Sequence, residues 1–353
     1  MRVLLVGDHP PPYGGVAIHV QQLHGFLRGR GVEAKVLDIG KGGRPVPDVH
    51  PVSGIADFGL RLAGFLSAGW TVHVHTSGNN PKAWLLAATV GGLPTGRAPR
   101  LITLHSGLLP DYLAASSARR VFARVALAGY ARVIAVSGAV RDALVDCGVA
   151  DEKIVVYPAF CASQVVPGPT PPLVESARAR RRPLLTLAHH PSPVYGRRVA
   201  FRAVQKLAST LPDVGLAVFG PGTDSEKFIR DVRECGVAKH LEVLGELAHP
   251  EALGLIARSD VFLRPTTHDG DSISVREALA LGVPCVASDV CVRPEGTRVF
   301  RAGDSTALAS AVREAVAAGR PRVHAPDAGP VLLELYAESS ARGRSSTQSA
   351  PAT

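Results

Sequence analysis

The chain has 353 residues, of which 46% are hydrophobic and 20% charged, a balance typical of a folded globular protein with about two domains. The formal net charge of +9 favours anionic partners such as phosphorylated ligands or an acidic membrane face, although most basic residues are expected on solvated surfaces. Only 5% of residues are aromatic, and basic and aromatic residues do not interleave, so nucleic acid is not expected as a partner.

The five cysteines are scattered along the chain, odd in number and without a CxxC pair. We therefore expect reduced, mostly buried thiols in a cytoplasmic protein, and no zinc ligation. A strand begins directly after Met1, which predicts that no signal peptide precedes it. No apolar run approaches the roughly 20 residues that are needed to span a bilayer.

Strands and helices alternate through the first half of the chain. The strand at 3–6 is followed by a glycine loop and a helix at 16–27, which is the opening of a doubly wound sheet. Gly14 and Gly15 in this loop let the backbone approach a ligand, and a bare tight turn is the alternative interpretation. Further strands are predicted at 34–37, 71–75, 101–104, 133–136 and 154–157, and helices at 58–66, 84–90, 110–130 and 139–147.

Three histidines lie on or directly after these strands. His105 follows the strand at 101–104, so we expect it at the carboxyl edge of the sheet, where it could orient a substrate hydroxyl or phosphate. A satisfied structural histidine is the alternative. His73 and His75 share one face of their strand and are expected to be structural, because a metal site would need a third ligand that the sequence does not place.

The predicted helix at 110–130 has a basic side and an apolar side. Arg119, Arg120 and Arg124 stand beside Val121 and Phe122. This pattern indicates either a face that touches anionic lipid or an ordinary surface helix that packs on the sheet.

The second half of the chain restarts the same alternation after a stretch rich in proline and arginine. Residues 166–183 are predicted to be a linker. Strands follow at 184–188, 215–219, 241–244, 261–263, 285–287 and 297–300, and helices at 199–207, 226–235, 250–258, 305–318 and 330–338. The fold class is therefore α/β, with two Rossmann-like, doubly wound parallel-sheet domains facing across a cleft.

The domain boundaries follow from this pattern. The first domain is placed at 1–165, the linker at 166–183 and the second domain at 184–320. A terminal segment at 321–338 is expected to pack back on the first domain, and the Ser/Ala/Arg-rich residues 339–353 are expected to be disordered.

The stretch at 264–289 carries most of the chemistry. A strand ends, a polar turn containing Asp269, Gly270 and Asp271 follows, and a short helix begins near Ser272 with Glu277 on it. The carboxylates suit a ligand with vicinal hydroxyls, and the helix N-terminus suits a phosphate. The alternative is that Asp271 and Ser272 only cap the helix and that Glu277 is solvated. The residues alone therefore predict a nucleotide-type ligand between two domains, and no more.

The chain resembles glycosyltransferase family 4, whose members are retaining, metal-independent enzymes of the GT-B fold. The resemblance rests on PPPYGGVAIHVQQL at 10–23, LHSG at 104–107, and Asp269-x7-Glu277 followed by EALALGVPCVASD, which is similar to the family's E-x7-E motif. It covers residues 1–336.

The resemblance implies roles for these positions. The N-terminal domain would bind the acceptor and the C-terminal domain a nucleotide-sugar donor. Glu277 would bind the ribose, Asp269 the hydroxyls of the donor sugar, and His105 would lie near that sugar. Main-chain N–H groups near Ser272 and Ile273 would meet the diphosphate or the sugar, and Gly14 and Gly15 would pass close to the diphosphate. Gly270, Asp271 and His190 are further candidate donor-binding residues.

Two departures from the family pattern stand out. The first acid is Asp269, which is one methylene shorter than Glu. The family's diphosphate-binding Arg and Lys are replaced by His190 and Tyr195. Positive charge could come instead from Arg197, Arg198 or Arg264, and we expect Arg197 or Arg198 to compensate.

The expected function is transfer of a sugar from a nucleotide-sugar to a glycan or lipid-linked acceptor, in cell-surface polysaccharide or glycolipid synthesis. No cofactor or metal is expected. The enzyme would be cytoplasmic, or peripheral at the inner membrane face through the Arg119–Arg124 helix. The alternatives are a non-catalytic relative that acts as a binding or scaffold protein, which the missing basic pair favours, and a nucleotide-sugar epimerase, which only the shared architecture suggests.

Overall fold

The structure is a computed structural model that describes residues 1–41, 46–93, 98–320 and 326–345. It divides into two compact units, one formed by Met1–Gln164 with the chain from Pro326, the other by Val165–Ala325. Each has its own sheet and its own apolar core.

The first unit is an α/β unit with one parallel sheet. Its strands are β1 (Arg2–Gly7), β2 (Glu33–Asp38), β3 (Val49–Pro51), β4 (Thr71–Thr76), β5 (Arg100–Leu104), β6 (Arg132–Ala135) and β7 (Ile154–Val156). Its first helices are α1 (Gly15–Gly29), α2 (Ile55–Ser67), α3 (Pro81–Gly92), α4 (Leu109–Ala114), α5 (Ser117–Leu127) and α6 (Gly138–Asp146). The sheet order is β3-β2-β1-β4-β5-β6-β7, so the direction of winding reverses between β1 and β4. Helices cover both faces, which is why β1 is buried from Val3 onwards.

Two local predictions for this unit are wrong. The helix expected at 110–130 is two helices, because Ser116 adopts the extended backbone of an N-cap residue and starts α5 afresh. Residues 40–52 are rich in Gly and Pro, which predicts a loop, but they contain β3, a strand of three residues that is too short to show a periodicity. The rest of that loop lies partly outside the described residues.

The second unit repeats the architecture. Its strands are β8 (Leu184–Ala188), β9 (Gly215–Phe219), β10 (Leu241–Gly245), β11 (Val261–Arg264), β12 (Cys285–Ser288) and β13 (Thr297–Phe300). Its helices are α7 (Pro172–Arg180), α8 (Arg197–Ala208), α9 (Glu226–Glu234), α10 (His249–Arg258), α11 (Ile273–Ala280) and α12 (Ser305–Ala318). The order β10-β9-β8-β11-β12-β13 places the reversal of winding between β8 and β11. Ligands of doubly wound sheets bind at the carboxyl ends of the two strands at such a reversal.

The predicted linker at 166–183 contains α7, so this prediction is wrong in part. Pro172 stands at the first position of the helix, where its missing N–H costs nothing. Val174 and Ala177 are buried against Leu184 and Leu255 of the second unit. The prolines that suggested a linker therefore start a packed helix.

The last helix, α13 (Ala328–Ser345), belongs to the first unit. Its Leu332 and Tyr336 lie in the core formed with α1, and the Tyr336 hydroxyl is 2.5 Å from His73 Nδ1. The segment from Ser339 was expected to be disordered, but α13 extends into it as far as Ser345. Ala, Glu and Leu in the first turns of α13 favour helix. Residues 346–353 of that segment, and 321–325 before the helix, lie outside the described residues.

Candidate active site

The acidic segment lies at the reversal point of the second sheet. Arg264 is the last residue of β11, Asp269 follows in the loop, and Glu277 is in the second turn of α11. The loop after β8 reaches this edge as well, since Thr267 N donates to Val194 O at 2.9 Å. Gly196 makes the approach possible, because a Cβ there would lie 1.8 Å from Pro265 O and its φ is +67°.

Glu277 is buried, with 4% of its surface exposed. His249, the first residue of α10, brings Nε2 to 2.7 Å from Glu277 Oε1. Glu277 is therefore withdrawn from water and hydrogen-bonded to an imidazole. The alternative interpretation, that Glu277 is a solvated surface group, is wrong. The histidine fixes the conformation in which Glu277 would meet a ligand.

Asp269 forms an ion-pair cluster with two arginines. Arg264 binds it through two parallel bonds, Nε to Oδ2 at 2.9 Å and Nη2 to Oδ1 at 3.1 Å. Arg293 Nη1 adds a bond to Oδ2 at 2.8 Å, and the Thr266 hydroxyl adds one at 3.2 Å. Burial opposes ionisation, but Arg264 and Arg293 outweigh it and lower the pKa of Asp269 to about 2. The shorter acid of this chain is therefore an ionised bridge between two cations.

The N-terminus of α11 has no side-chain cap. Ser272 is the N-cap residue, but its hydroxyl lies 3.1 Å from Ser274 Oγ and does not cap the backbone. Asp271 pairs with Arg276 Nε at 2.6 and 2.8 Å, and burial raises the pKa of this acid despite the arginine. The interpretation that Asp271 and Ser272 only cap the helix is wrong. The positive end of the helix dipole near Ile273 is therefore not matched by a capping side chain.

His190 and Tyr195 stand where the resemblance calls for a basic pair. Their rings stack with centroids 4.9 Å apart and an interplanar angle of 29°. His190 Nδ1 accepts from Ser192 N at 3.1 Å. The Arg264 guanidinium carbon lies 5.0 Å from the centre of the Tyr195 ring. Tyr195, in the loop after β8, thus contacts both His190 and the arginine at the end of β11.

Arg197 and Arg198 are already paired within the unit. Arg197 is buried and binds Asp231 of α9 through Nε at 2.7 Å. Arg198 Nη1 contacts Asp231 at 2.5 Å and Glu234 at 2.6 Å. Their two charges are balanced by two carboxylates at the α8–α9 contact. The compensation expected from either arginine would require breaking these ion pairs.

Gly14 and Gly15 begin α1 at the carboxyl end of β1. Gly14 is exposed, is the N-cap residue and has φ −139°, a conformation open to any residue. A Cβ at Gly14 would meet no described atom within 4 Å. Neither backbone strain nor packing within the described residues therefore requires glycine at this position. The open space beside Gly14 would let a ligand approach the backbone closely.

His105 belongs to a cluster of four histidines in the first unit. It is half-buried, and its Nε2 lies 3.4 Å from His75 Nδ1. His19 of α1 packs on both, with ring centroids 5.2 Å from His75 and 5.4 Å from His105. His73 is satisfied by Thr103 Oγ1 at 2.8 Å and by the tyrosine of α13, as a structural histidine.

All four imidazoles of this cluster are neutral at physiological pH. Burial, and then the neighbouring histidines, hold the pKa of His105 and of His75 well below the ordinary value. Burial lowers the pKa of His19 to about 3. His105 can therefore offer a neutral donor or acceptor to a ligand, but it carries no positive charge there.

The basic helix α5 exposes apolar and charged side chains together. Val121, Phe122 and Val125 are 53%, 43% and 62% exposed. Arg119 lies over the Tyr112 ring at 4.3 Å, and Arg120 contacts its own helix through Ser117. The opposite side packs in the core through Ala123 and other small residues.

The described residues contain neither a candidate metal site nor a candidate membrane span. No group of three or more His, Cys, Asp or Glu side chains in these residues is arranged to hold a metal ion. No helix among them is long and apolar enough to cross a bilayer. The cysteines are free thiols, and Cys291 is the half-buried one.

Comparison with known proteins connects this geometry to a family. Residues 13–160 match the family described as Glycosyltransferase Family 4, and residues 182–318 match the one described as Glycosyl transferases group 1. The chain belongs to the GT-B glycosyltransferases. Each unit of the enzyme is thus matched by a family profile of its own.

Curated relatives cover most of the enzyme. It is 27% identical to the glycogen synthase of Mycobacterium tuberculosis over 332 residues, which cover 82% of this chain and 78% of that protein. It is 27% identical to the phosphatidyl-myo-inositol mannosyltransferase of Propionibacterium freudenreichii over 362 residues, with 92% and 87% covered.

A solved structure shares the fold. HepE of Anabaena, crystallised with UDP-glucose, aligns with a TM-score of 0.68 at 18% identity and covers 99% of this chain and 100% of that one.

Sequence reasoning missed several partners of the candidate residues. His249, Arg276 and Arg293 hold Glu277, Asp271 and Asp269 respectively. Arg276 could have been found, since it follows Asp271 by five residues at the start of a helix. His249 and Arg293 lie 28 and 24 residues from their acids, and no local pattern marks them.

Proposed function

We propose that the enzyme is a retaining, metal-independent glycosyltransferase that moves a sugar from a nucleotide-sugar to a glycan or lipid-linked acceptor. The observation that carries this proposal is the buried carboxylate of Glu277, oriented by His249, beside the uncapped first turn of α11. A hydroxyl-binding acid next to a phosphate-binding helix end suits a nucleoside diphosphate.

The relatives support a sugar nucleotide as donor. HepE was crystallised with UDP-glucose, and the named relatives are a glycogen synthase and a mannosyltransferase. In our proposal Glu277 accepts hydrogen bonds from the ribose, and the backbone of Gly270, Ser272 and Ile273 faces the diphosphate. Gly14, Gly15 and His105 of the first unit are proposed to contact the diphosphate and the transferred sugar.

Asp269 keeps room for one sugar hydroxyl in this proposal. Among the described residues, its Oδ2 accepts from Arg264, Arg293 and Thr266, whereas Oδ1 accepts from Arg264 alone. A carboxylate oxygen has two lone pairs, so Oδ1 can accept a further bond. The arginines hold this oxygen at a fixed place.

The proposed reaction needs no protein base. The bond between the anomeric carbon and the diphosphate oxygen breaks, and the acceptor oxygen bonds to the same face of that carbon. The acceptor proton passes to the leaving diphosphate oxygen. The protein's part is to position both substrates and to stabilise the separating charge. Neutral His105 fits this scheme as a hydrogen-bonding group beside the sugar.

We further propose that α5 brings the enzyme to the inner face of a membrane, where a lipid-linked acceptor would be found. Exposed Val121 and Val125 would enter the headgroup region beside Arg119 and Arg124. Sedimentation with phosphatidylglycerol vesicles tests this idea. Replacing Val121 and Val125 by Ser should release the enzyme, whereas equal sedimentation of both proteins would refute membrane docking.

A donor screen tests the function. UDP- and GDP-sugars are compared by thermal shift, and release of free nucleotide is then measured in EDTA with and without oligosaccharide and lipid acceptors. We expect one donor to stabilise the fold, acceptor-dependent release, and retained anomeric configuration by NMR. Glu277→Gln should abolish donor stabilisation, whereas the exposed control Glu314→Gln should not.

Each alternative predicts a different outcome of this screen. A scaffold protein would show neither stabilisation nor release. An epimerase would convert the sugar nucleotide without an acceptor.

A further inference from the structure

We propose that Arg264 is the cation that neutralises the donor diphosphate in this enzyme. The positive charge has moved from the loop after β8 to the end of β11, where Tyr195 and Asp269 hold it. This inference rests on the proposed function and assigns the leaving-group contact within it.

The position of Arg264 suits that role. It is the last residue of β11, the strand that neighbours β8 at the reversal of the sheet. The carboxyl ends of these two strands are where a doubly wound sheet binds its ligand. Arg264 therefore stands at the ligand edge, whereas Arg197 and Arg198 are turned to α9 by Asp231.

The ion pairs between arginine and aspartate at this edge join three arginines to two aspartates, while the third acid of the segment, Glu277, is paired with His249. Arg264 and Arg293 share the single carboxylate of Asp269, while Arg276 is matched by Asp271. Arg293 is committed to the protein, because its side chain is 2% exposed and it also donates to Ser288 O and Oγ. Of the two arginines that share Asp269, Arg264 is therefore the one that a ligand can reach, since its side chain is 14% exposed.

The guanidinium of Arg264 is oriented and has donors to spare. Nε and Nη2 bind Asp269, which leaves Nη1 without a carboxylate partner among the described residues. The Arg264 guanidinium lies over the Tyr195 ring, and the His190 ring stacks with Tyr195. A planar cation that is fixed in this way is pre-organised for phosphate, which arginine binds with paired hydrogen bonds.

The substitution of the usual basic pair then has a physical reason. A lysine at 195 would place a second cation against Arg264, whereas the Tyr195 ring attracts the guanidinium. In this enzyme the positive charge proposed to bind the diphosphate is thus that of Arg264, at the end of a strand and beside the Tyr195 ring.

Nucleotide affinities test the assignment. Isothermal calorimetry compares UDP with UMP, and GDP with GMP, on wild type, Arg264→Gln and the control Arg298→Gln, whose residue forms an exposed ion pair with Glu314. We expect Arg264→Gln to lose at least about tenfold in diphosphate affinity and less than about twofold in monophosphate affinity. Arg298→Gln should match wild type for both ligands.

A rescue variant separates charge from structure. Adding His190→Arg and Tyr195→Lys to Arg264→Gln should restore the preference for diphosphate, which a merely structural role of Arg264 would not produce. A diphosphate preference that survives in Arg264→Gln, or that is lost in Arg198→Gln instead, would overturn the inference while leaving the donor function intact. Wild type that binds neither UDP nor GDP would refute the proposed function itself, and the inference with it.

Discussion

The contact between His249 and Glu277 makes the sharpest prediction about the candidate site. His249 Nε2 and Glu277 Oε1 are 2.7 Å apart, and the two side chains are 14% and 6% exposed. His249→Phe preserves the ring volume and removes the donor. The Glu277 carboxylate then stays buried with one hydrogen-bond partner fewer, so part of its desolvation cost is no longer offset and the folded state is destabilised.

The magnitude follows from the type of bond. A hydrogen bond to a charged group contributes about 1.5–3 kcal/mol, so we expect His249→Phe to lower the free energy of unfolding by about 2 kcal/mol. In a unit of this size such a loss lowers Tm by roughly 4–8 °C. His268→Phe, which changes an exposed histidine of the same unit, should stay within about 0.5 kcal/mol of wild type.

The assay is a double-mutant cycle in urea with His249→Phe, Glu277→Gln and the double variant. We expect a coupling energy of about 1–2 kcal/mol between the two sites. A coupling below about 0.5 kcal/mol would refute the idea that His249 holds Glu277. In turnover, His249→Phe should raise KM for the donor more than it lowers kcat, because ribose binding is equal in the ground and transition states.

Three further predictions concern backbone fit and pH. Gly196→Ala should cost at least about 2 kcal/mol more than Gly303→Ala, because both residues have positive φ but only Gly196 meets a carbonyl, that of Pro265. Equal losses in urea unfolding would contradict this. Asp269 has a pKa of about 2 against 3.8 when unpaired, so its ion pairs stabilise the fold fully above about pH 4 and lose effect as pH falls towards 2. The stability difference between wild type and Asp269→Asn should therefore shrink by about 2 kcal/mol between pH 5 and pH 2, and a constant difference would argue against the ion pairs. His19 has a pKa of about 3 against 6.5, so the unfolded chain takes up the proton first and stability falls below about pH 6.5. His19→Leu should remove about 1.4 kcal/mol of acid sensitivity per pH unit between pH 6 and pH 4, as measured by urea unfolding at each pH, and unchanged acid sensitivity would count against a buried neutral His19.

The sequence was sufficient for the parts of the fold that depend on local pattern. Apolar runs that alternate with helical periodicity predict two doubly wound sheets, and the structure has two parallel sheets in which the winding reverses once. The prediction of a linker is wrong in part because proline is common both in linkers and at the first position of a helix. Here Pro172 begins a helix whose Val174 is buried. Only the packing of that helix distinguishes a helix start from a linker.

The candidate site divides in the same way. The pattern predicted Asp269 in the turn after a strand and Glu277 on the helix that follows, and the structure has both residues in these elements. It could not predict that Arg293, 24 residues further along, would bind Asp269. Arg197 was expected to bind the ligand, but it forms an ion pair with Asp231 on the next helix. Such pairings depend on the register between helices and strands, which periodicity does not encode.

Binding of the ribose by Glu277 is the central claim of this account, and one pair of affinities tests it most directly. Calorimetry compares the preferred ribonucleoside diphosphate, UDP or GDP, with its 2′,3′-dideoxy analogue on wild type and on Glu277→Gln. We predict that wild type binds the ribonucleotide at least about tenfold more tightly, and that Glu277→Gln binds both ligands alike. A wild-type enzyme that does not distinguish the two ligands, or a preference that persists in Glu277→Gln, would contradict the account.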